Sequence, residues 1–216
     1  MGTPIIVYGK SGSGKSRSLK NFGEDEILLV NIEGKQLPFR KQFKYVLKSD
    51  NVGLIIQQIQ KMPCKTAVID DAGYLMTHYF MKNHRDKKGN ASFEMYDAIA
   101  DIMYQLVDNI KRNVDDDKNV YIMMHEFTDD YGDTKLRTIG RLIDSKVCLE
   151  GMVTICIRCM SDNGKHFFRV KTDGSDITKT PEDMFDTEEI ENDLKAVDTR
   201  IREYWDLNEI NGEEVE

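Results

Sequence analysis

The chain has 216 residues, of which 40% are hydrophobic, and this suits one α/β domain with a full core better than two domains. Its formal net charge of −8 gives no general attraction to nucleic acid, so any DNA contact has to be local or built by assembly. No apolar run approaches the roughly 18 residues of a membrane helix, and no signal-peptide pattern is present, so we expect a cytoplasmic protein without membrane contact.

Apolar, β-prone runs alternate with amphipathic segments along most of the chain. The strand pattern occurs at residues 3–8, 26–31, 44–47, 66–69, 120–124, 152–159 and 166–171. The helical pattern occurs at 15–22, 52–62, 72–84, from Asn90 or Ser92 to Val114, and at 186–205. This alternation predicts an α/β fold with a mostly parallel central sheet and helices on both faces.

The first predicted strand leads into the phosphate-binding pattern GxxxxGK[ST], which is complete here and precedes a predicted helix. It consists of Gly9, Lys10, Ser11, Gly12, Ser13, Gly14, Lys15 and Ser16. The glycines let backbone N–H groups point at phosphates, and the helix adds the positive end of its dipole. We expect Lys15 to reach the β- and γ-phosphates and the Ser16 hydroxyl to bind Mg²⁺. The pattern therefore predicts an ATPase that binds ATP together with Mg²⁺.

Acidic residues follow two of the predicted strands. Asp70 comes directly after the strand at 66–69, where P-loop proteins place the carboxylate that holds Mg²⁺. Asp71 beside it either polarises an attacking water or caps the next helix. Glu33 follows the strand at 26–31 and is either a turn residue before Gly34 or a catalytic carboxylate. These residues are the candidates for metal binding and for activation of water.

His125 closes the predicted strand at 120–124 and is a candidate sensor of the γ-phosphate, with a purely structural role as the alternative. The other three histidines, His78, His84 and His166, have no such context and receive no predicted role. The lone CxxC at 156–159 lies in an apolar run, which favours buried strand thiols over a zinc or redox site.

These motifs, taken in order, resemble those of phage-encoded RecA-like ATP-binding proteins, a family that includes minimal recombinases able to bind and anneal single-stranded DNA. The resemblance is carried by 9–16, Glu33-Gly34, 68–73, His125-Glu126, 168–171 and 179–181, and it covers roughly residues 1–185. It implies a RecA-like ATPase core over 1–185, followed by a charged helix and tail over 186–216.

The resemblance also implies roles for single residues. Glu33 takes the position of the general base and His125 that of the γ-phosphate sensor. Arg169, Lys171 and Lys179 match, loosely, the basic residues that RecA-like proteins insert into a neighbouring subunit's ATP site. The implied partners are single-stranded DNA, further copies of the chain in a ring or filament, and a single-strand DNA-binding protein, in the cytoplasm of a phage host.

Two predicted loops are candidates for DNA contact, with ordinary solvated loops as the alternative. They are residues 85–91 and residues 127–140, the second of which carries Lys135, Arg137 and, next to it, Arg141. Tyr131 in the second loop is an aromatic residue of the kind that stacks on bases. Two other functions remain open for a P-loop protein of this length: a small-molecule or nucleotide kinase, and a nucleotide-dependent switch or packaging component.

Overall fold

A computed structural model of the protein describes residues 1–85 and 89–207. The predicted loop at 85–91 therefore lies partly outside the described residues, and so does the predicted tail beyond residue 207. No helix within the described ranges has both the length and the apolarity needed to cross a membrane.

The described strands form one sheet in the order β3-β2-β4-β5-β1-β7-β8-β9, and β6 pairs with β5. The strands are β1 Thr3–Gly9, β2 Ile27–Asn31, β3 Tyr45–Leu47, β4 Thr66–Asp70, β5 Asn119–Thr128, β6 Thr134–Leu136, β7 Ile155–Asp162, β8 Lys165–Arg169 and β9 Glu189–Glu191. The pairs from β3 through to β7 are parallel, whereas β6, β8 and β9 pair antiparallel. The predicted α/β fold with a mostly parallel sheet is thus confirmed.

Helices cover both faces of the sheet. They are α1 Val52–Lys61, α2 Tyr74–Asn83, α3 Asn90–Asn113 and α4 Leu194–Tyr204, with 3₁₀ helices at Ser16–Asn21 and Leu149–Met152 and a π-helical turn at Ile143–Val147. Alternate residues of β1 enter opposite layers: Ile6 and Tyr8 join the core under α1, α2 and α3, whereas Ile5 and Val7 join the core under α4. β1, β2 and β4 are buried on both faces for this reason, whereas the edge strand β3 exposes Val46.

The helix after the phosphate loop differs from the prediction for 15–22. It is a six-residue 3₁₀ helix at Ser16–Asn21 rather than an α-helix. Ser18 favours the tighter turn, since its Oγ donates to the carbonyl of Lys15 at 2.6 Å and so competes with α-helical bonding. The positive end of the helix dipole expected from the sequence is therefore that of a short 3₁₀ helix.

The C-terminal helix also differs from the prediction, which placed it at 186–205. The helix begins at Leu194, because Asp193 caps it by accepting hydrogen bonds from the N–H groups of Lys195 and Ala196. The preceding residues Glu189–Glu191 form β9, which pairs with β8. The sequence pattern, whose last strand is 166–171, does not predict β9.

The predicted strand at 120–124 is longer in the structure. β5 continues through His125 to Thr128 and turns back into β6, which occupies part of the predicted loop at 127–140. Because the parallel strands end at one edge of the sheet, Gly9 is paired with His125 and Asn31 with Asp70. This edge therefore collects most of the residues that the sequence marks as chemically important.

Candidate nucleotide-binding site

The phosphate loop connects β1 to the first 3₁₀ helix. Gly12 and Gly14 adopt φ angles of 79° and 109°, in the region that glycine enters without steric cost. The Ser13 N–H donates to the carbonyl of Lys10 at 3.2 Å and tightens the turn. Residues 9–16 therefore fold into a compact loop of backbone amides, as anion binding requires.

Lys15 lies over this loop and is almost completely buried, with 6% of its surface exposed. Its ammonium donates to the carbonyls of Gly9 at 2.8 Å and Lys10 at 3.0 Å. Burial lowers the pKa of Lys15, and the nearby carboxylates of Asp70 and Asp71 oppose this effect. The loop thus holds a cation at its centre, where phosphate oxygens would approach.

Ser16 and Asp70 form the second part of the site. The Ser16 hydroxyl donates to the Asp70 carboxylate, with distances of 2.9 and 3.1 Å to its two oxygens. Burial and the charge of Asp71 raise the pKa of Asp70, while the Ser16 hydrogen bond lowers it. A hydroxyl beside a carboxylate is a set of hard oxygen donors that suits Mg²⁺. The residues present therefore fit this ion.

Asp71 lies at the mouth of the loop in a left-handed conformation, with φ of 60°. Its carboxylate accepts a hydrogen bond from Nζ of Lys35 at 2.7 Å, and Nε2 of His125 lies 3.4 Å away. Burial raises the pKa of Asp71, but the bonds from His125 and Lys35 outweigh burial and lower it to about 2. Asp71 is therefore ionised at neutral pH and is fixed from two sides.

Glu33 occupies a neighbouring cluster. Its Oε1 lies 2.7 Å from Nε2 of His78, whose Nδ1 lies 3.1 Å from Asp50. Lys82 also donates to Asp50, at 2.6 Å. Tyr74 links this cluster to the phosphate site, because its ring packs against His78 at 6.1 Å and against His125 at 6.3 Å.

The cleft above the loop brings together most of the predicted site. It is lined by Ser11, Gly12, Gly14, Lys15, Ser16, Arg17, Lys35, Pro38, Asp71, His125 and His166. Glu33 is not part of this lining, and Asp70 lies beneath it, bonded to Ser16. The structure therefore brings the phosphate loop, Asp71 and His125 together in one cleft, whereas Glu33 does not line this cleft.

Arg169, Lys171 and Lys179 also lie outside the cleft. Arg169 at the end of β8 donates to Asp173 at 2.7 Å and lies 3.9 Å from both Asp176 and Glu189. Lys171 is exposed on the following loop, and the backbone of Lys179 pairs with β7 at Cys156. The structure gives these three residues no contact with their own chain's phosphate loop among the described contacts.

Four cleft residues were not predicted from the sequence, and one of them, Arg17, directly follows the phosphate-binding pattern. Lys35 and Pro38 come from the segment between β2 and β3, and His166 comes from the start of β8. Nδ1 of His166 lies 2.7 Å from the carbonyl oxygen of Ser13 in the phosphate loop. The antiparallel turn between β7 and β8 creates this contact, and no spacing along the chain points to it.

A buried ion network links the end of β5 to β7, the two strands that lie on either side of β1. Arg158 donates to both oxygens of Glu126, at 2.9 and 3.0 Å, and to Asp176 at 3.2 Å. The side chains of Glu126 and Asp176 are 3% and 0% exposed. Because Glu126 follows His125, this network also fixes the strand that carries the candidate γ-phosphate sensor.

The chain matches a known protein family. A family model described as an AAA domain matches residues 1–189, a range that includes every residue of the cleft. A search of curated proteins finds no match. The match supports nucleotide binding and an ATPase of AAA type, while the narrower RecA-like, phage and recombinase assignments stay predictions.

Proposed function

The chain belongs to the AAA domain family of P-loop ATPases, and we propose that it binds ATP with Mg²⁺ in the cleft above the phosphate loop and hydrolyses it. One observation carries the proposal. The buried ammonium of Lys15 and the hydroxyl of Ser16, which is bonded to Asp70 at the end of β4, belong to neighbouring residues of the phosphate loop, and this loop lines an open cleft. A cation, oxygen ligands for Mg²⁺ and backbone amides are the groups with which P-loop NTPases hold the phosphates of a nucleotide.

Ser16 and Asp70 would hold Mg²⁺, directly or through its water shell. When bound, the ion neutralises part of the charge on the β- and γ-phosphates. Lys15 exchanges its carbonyl partners for phosphate oxygens, since a charged acceptor binds an ammonium more strongly than a carbonyl does. These residues therefore account for binding without a change in the fold of the loop.

Asp71 is the residue that we propose positions the attacking water. It lines the cleft, and its low pKa keeps it ionised, so that it can accept a hydrogen bond from water at neutral pH. The same low pKa makes it a weak proton acceptor, which favours orientation of the water over removal of its proton. His125, in contact with Asp71, is then suited to follow the γ-phosphate. Glu33 remains the alternative, and it reaches water only if its bond with His78 breaks.

The test is direct. Calorimetry should detect one ATP bound per chain in the presence of Mg²⁺, with much weaker binding in EDTA, and phosphate release should require Mg²⁺. Transfer of the γ-phosphate to a small-molecule acceptor, without release into water, would instead support the kinase alternative. Absence of ATP binding to a well-folded protein would refute the proposal.

The β5–β6 hairpin supports a narrower proposal, namely contact with single-stranded DNA during recombination or annealing. Phe127 on β5 is 55% exposed, and Tyr131 in the turn between β5 and β6 is 94% exposed. Exposed aromatic rings are the usual stacking platforms for unpaired bases. Lys135 lies on the same hairpin but is bonded to Asp129 at 3.0 Å, so stacking has to contribute more than charge.

The affinity for a fluorescently labelled single strand of thymidine nucleotides, measured by fluorescence anisotropy, tests this proposal. The Phe127→Ala/Tyr131→Ala variant should lose most of the affinity, by about tenfold or more if each ring stacks on a base. Phe93→Ala/Tyr104→Ala, which removes two exposed aromatics from α3, is the matched control and should bind as wild type does. Equal affinities for all three proteins would show that the two aromatic rings of the hairpin do not bind single-stranded DNA.

A third proposal concerns assembly. Arg169, Lys171 and Lys179 lie outside their own cleft, and we propose that they complete the cleft of a neighbouring copy in a ring or filament. The proposal is tested by mixing Lys15→Ala with Arg169→Ala/Lys171→Ala/Lys179→Ala. Recovered ATPase activity supports a shared site, and no recovery from folded variants that co-assemble contradicts it.

A further inference from the structure

The carbonyl oxygen of Ser13 receives two side-chain donors from the β7–β8 hairpin. Nδ1 of His166 lies 2.7 Å from it and Sγ of Cys159 lies 3.3 Å from it. A carbonyl oxygen can only accept, so Nδ1 of His166 carries its proton and Cys159 donates its S–H. Burial raises the pKa of the Cys159 thiol to about 11, which keeps that proton in place at neutral pH.

This carbonyl belongs to the same peptide unit as the N–H of Gly14. A trans peptide is planar, and its C=O and N–H point in opposite directions. Two donors that fix the Ser13 carbonyl therefore also fix the direction of the Gly14 N–H. Within 1–85 and 89–207, no hydrogen bond uses this N–H, and Gly14 lines the cleft.

The fit between loop and hairpin is close at two further points. A Cβ placed on Gly14 would lie 2.8 Å from Nδ1 of His166, and a Cβ on Gly9 would lie 2.2 Å from the carbonyl oxygen of Cys159. Both glycines thus let the hairpin lie directly on the loop. Cys159 is itself held, since Nδ2 of Asn192 donates to its sulfur at 3.3 Å.

We propose that His166 and Cys159 are positioning residues that hold the Ser13–Gly14 peptide so that the Gly14 amide faces the phosphate chain of a bound nucleoside triphosphate. The inference rests on the proposed function and deepens it. An amide that already points at the anion needs no reorganisation when the phosphate arrives, and preorganised donors of this kind are worth most in sites that exclude water. The two residues act on the phosphate through the loop and do not have to touch it.

Two variants distinguish the effect of the hydrogen bond that His166 donates from the effect of its side-chain shape. His166→Asn keeps an N–H at the distance of Nδ1 from the backbone, whereas His166→Leu keeps the branched shape without a donor. Affinity for Mg²⁺ with ATP, and for Mg²⁺ with inorganic triphosphate, is measured by calorimetry. His166→Leu should bind both ligands about tenfold more weakly, the scale of one hydrogen bond to a charged group, and His166→Asn should stay within about threefold of wild type.

His84→Leu is the control, because Nδ1 of His84 also lies 3.2 Å from a carbonyl, that of Phe80, at the end of α2 and outside the cleft. It should bind as wild type does. If His166→Leu folds poorly, Cys159→Ser and Cys159→Ala give the same comparison, with the donor kept in the first and removed in the second.

Three results would overturn the inference: wild-type affinity in His166→Leu, equal losses in His166→Leu and His166→Asn, or a loss for ATP but not for inorganic triphosphate. The last result would mean that His166 contacts the ribose or base instead of orienting the loop. Failure of the wild-type protein to bind either ligand would refute the proposed function itself, so the two failures are distinct.

Discussion

Oε1 of Glu33 lies 2.7 Å from Nε2 of His78, in a cluster next to the phosphate cleft but not within it. Tyr74 packs against both His78 and His125, and Nζ of Lys35 lies 5.0 Å above its ring. The two candidate carboxylates for water activation are therefore separated by position. Asp71 lies in the cleft, whereas Glu33 has to leave His78 before it can act there.

This separation predicts different kinetics for two conservative variants. Asp71→Asn should lower the rate of ATP hydrolysis by about 10²-fold or more, the usual share of a group that activates or orients water, with a smaller effect on ATP affinity. Glu33→Gln should change the rate by less than about tenfold, because its carboxylate lies outside the cleft. Phosphate release under saturating Mg²⁺ and ATP measures both. The reverse order would identify Glu33 as the base and imply that its bond with His78 opens during turnover.

Removal of the loop cation should abolish productive binding. Lys15→Ala takes away the buried ammonium that offsets phosphate charge, and backbone amides alone do not replace it. We expect ATP affinity to fall by about 10²-fold or more, measured by calorimetry, while thermal unfolding shows that the fold survives. Lys20→Ala, which removes an exposed lysine from the adjacent 3₁₀ helix, should bind as wild type does. Wild-type affinity in Lys15→Ala would mean that nucleotide binds elsewhere.

The low pKa of Asp71 predicts a pH dependence of stability. A carboxyl whose pKa is lower in the folded protein than in the unfolded chain stabilises the fold above the unfolded pKa, near 4, and loses this contribution as the pH falls towards the folded pKa. With a folded pKa of about 2, the contribution of Asp71 is present at pH 6 and is lost between about pH 4 and pH 2. Its size should be about 1–2 kcal/mol, reduced because its partner Lys35 is half exposed.

Urea unfolding of wild type and Asp71→Asn tests this reasoning. The difference between their free energies of unfolding should be largest near pH 6 and should shrink steadily below pH 4. A difference that stays constant down to pH 2.5 would show that the ion contacts of Asp71 with Lys35 and His125 do not stabilise the fold.

The sequence predicts the part of the site that depends on local pattern. Gly9 and Asp70 end β1 and β4, and His125 is the last residue of β5 that pairs in parallel with β1. Parallel strands in one sheet bring these ends to a common edge. Apolar runs of the right length were therefore enough to place these residues together. The phosphate loop could also be predicted from the sequence, because residues 9–16 are consecutive in the chain.

Other parts of the site depend on contacts between distant segments. His166 reaches Ser13 because β8 pairs antiparallel with β7 in one register, with Ser161 opposite His166. Neither register nor strand direction follows from a short apolar run. The contact of Glu33 with His78 depends on the side-chain conformations of two residues in different elements. The position of Glu33 after β2 does not determine these conformations.

The buried ion network beside the cleft gives the last prediction. Arg158 is 11% exposed and is the shared partner of two carboxylates, Glu126 and Asp176, that are almost completely buried. Arg158→Ala should remove the nearest cation from both carboxylates and leave Asp176 with the more distant Arg169 at 3.9 Å. Breaking such a buried pair costs about 3–5 kcal/mol of unfolding free energy. Arg158→Lys should rescue little of this, because a single ammonium cannot reproduce the two parallel bonds of the guanidinium to Glu126.

Urea unfolding measures the effect, with Arg112→Ala as the matched control. Arg112 also bonds an aspartate, Asp108, at 2.7 Å, but its side chain is 68% exposed on α3, so its removal should leave the unfolding midpoint almost unchanged. Because Glu126 follows His125 on β5, a folded Arg158→Lys protein should also hydrolyse ATP more slowly than wild type. Stability and turnover close to those of wild type would show that the network fixes neither β5 nor the γ-phosphate sensor, and that Arg158 is replaceable by any cation.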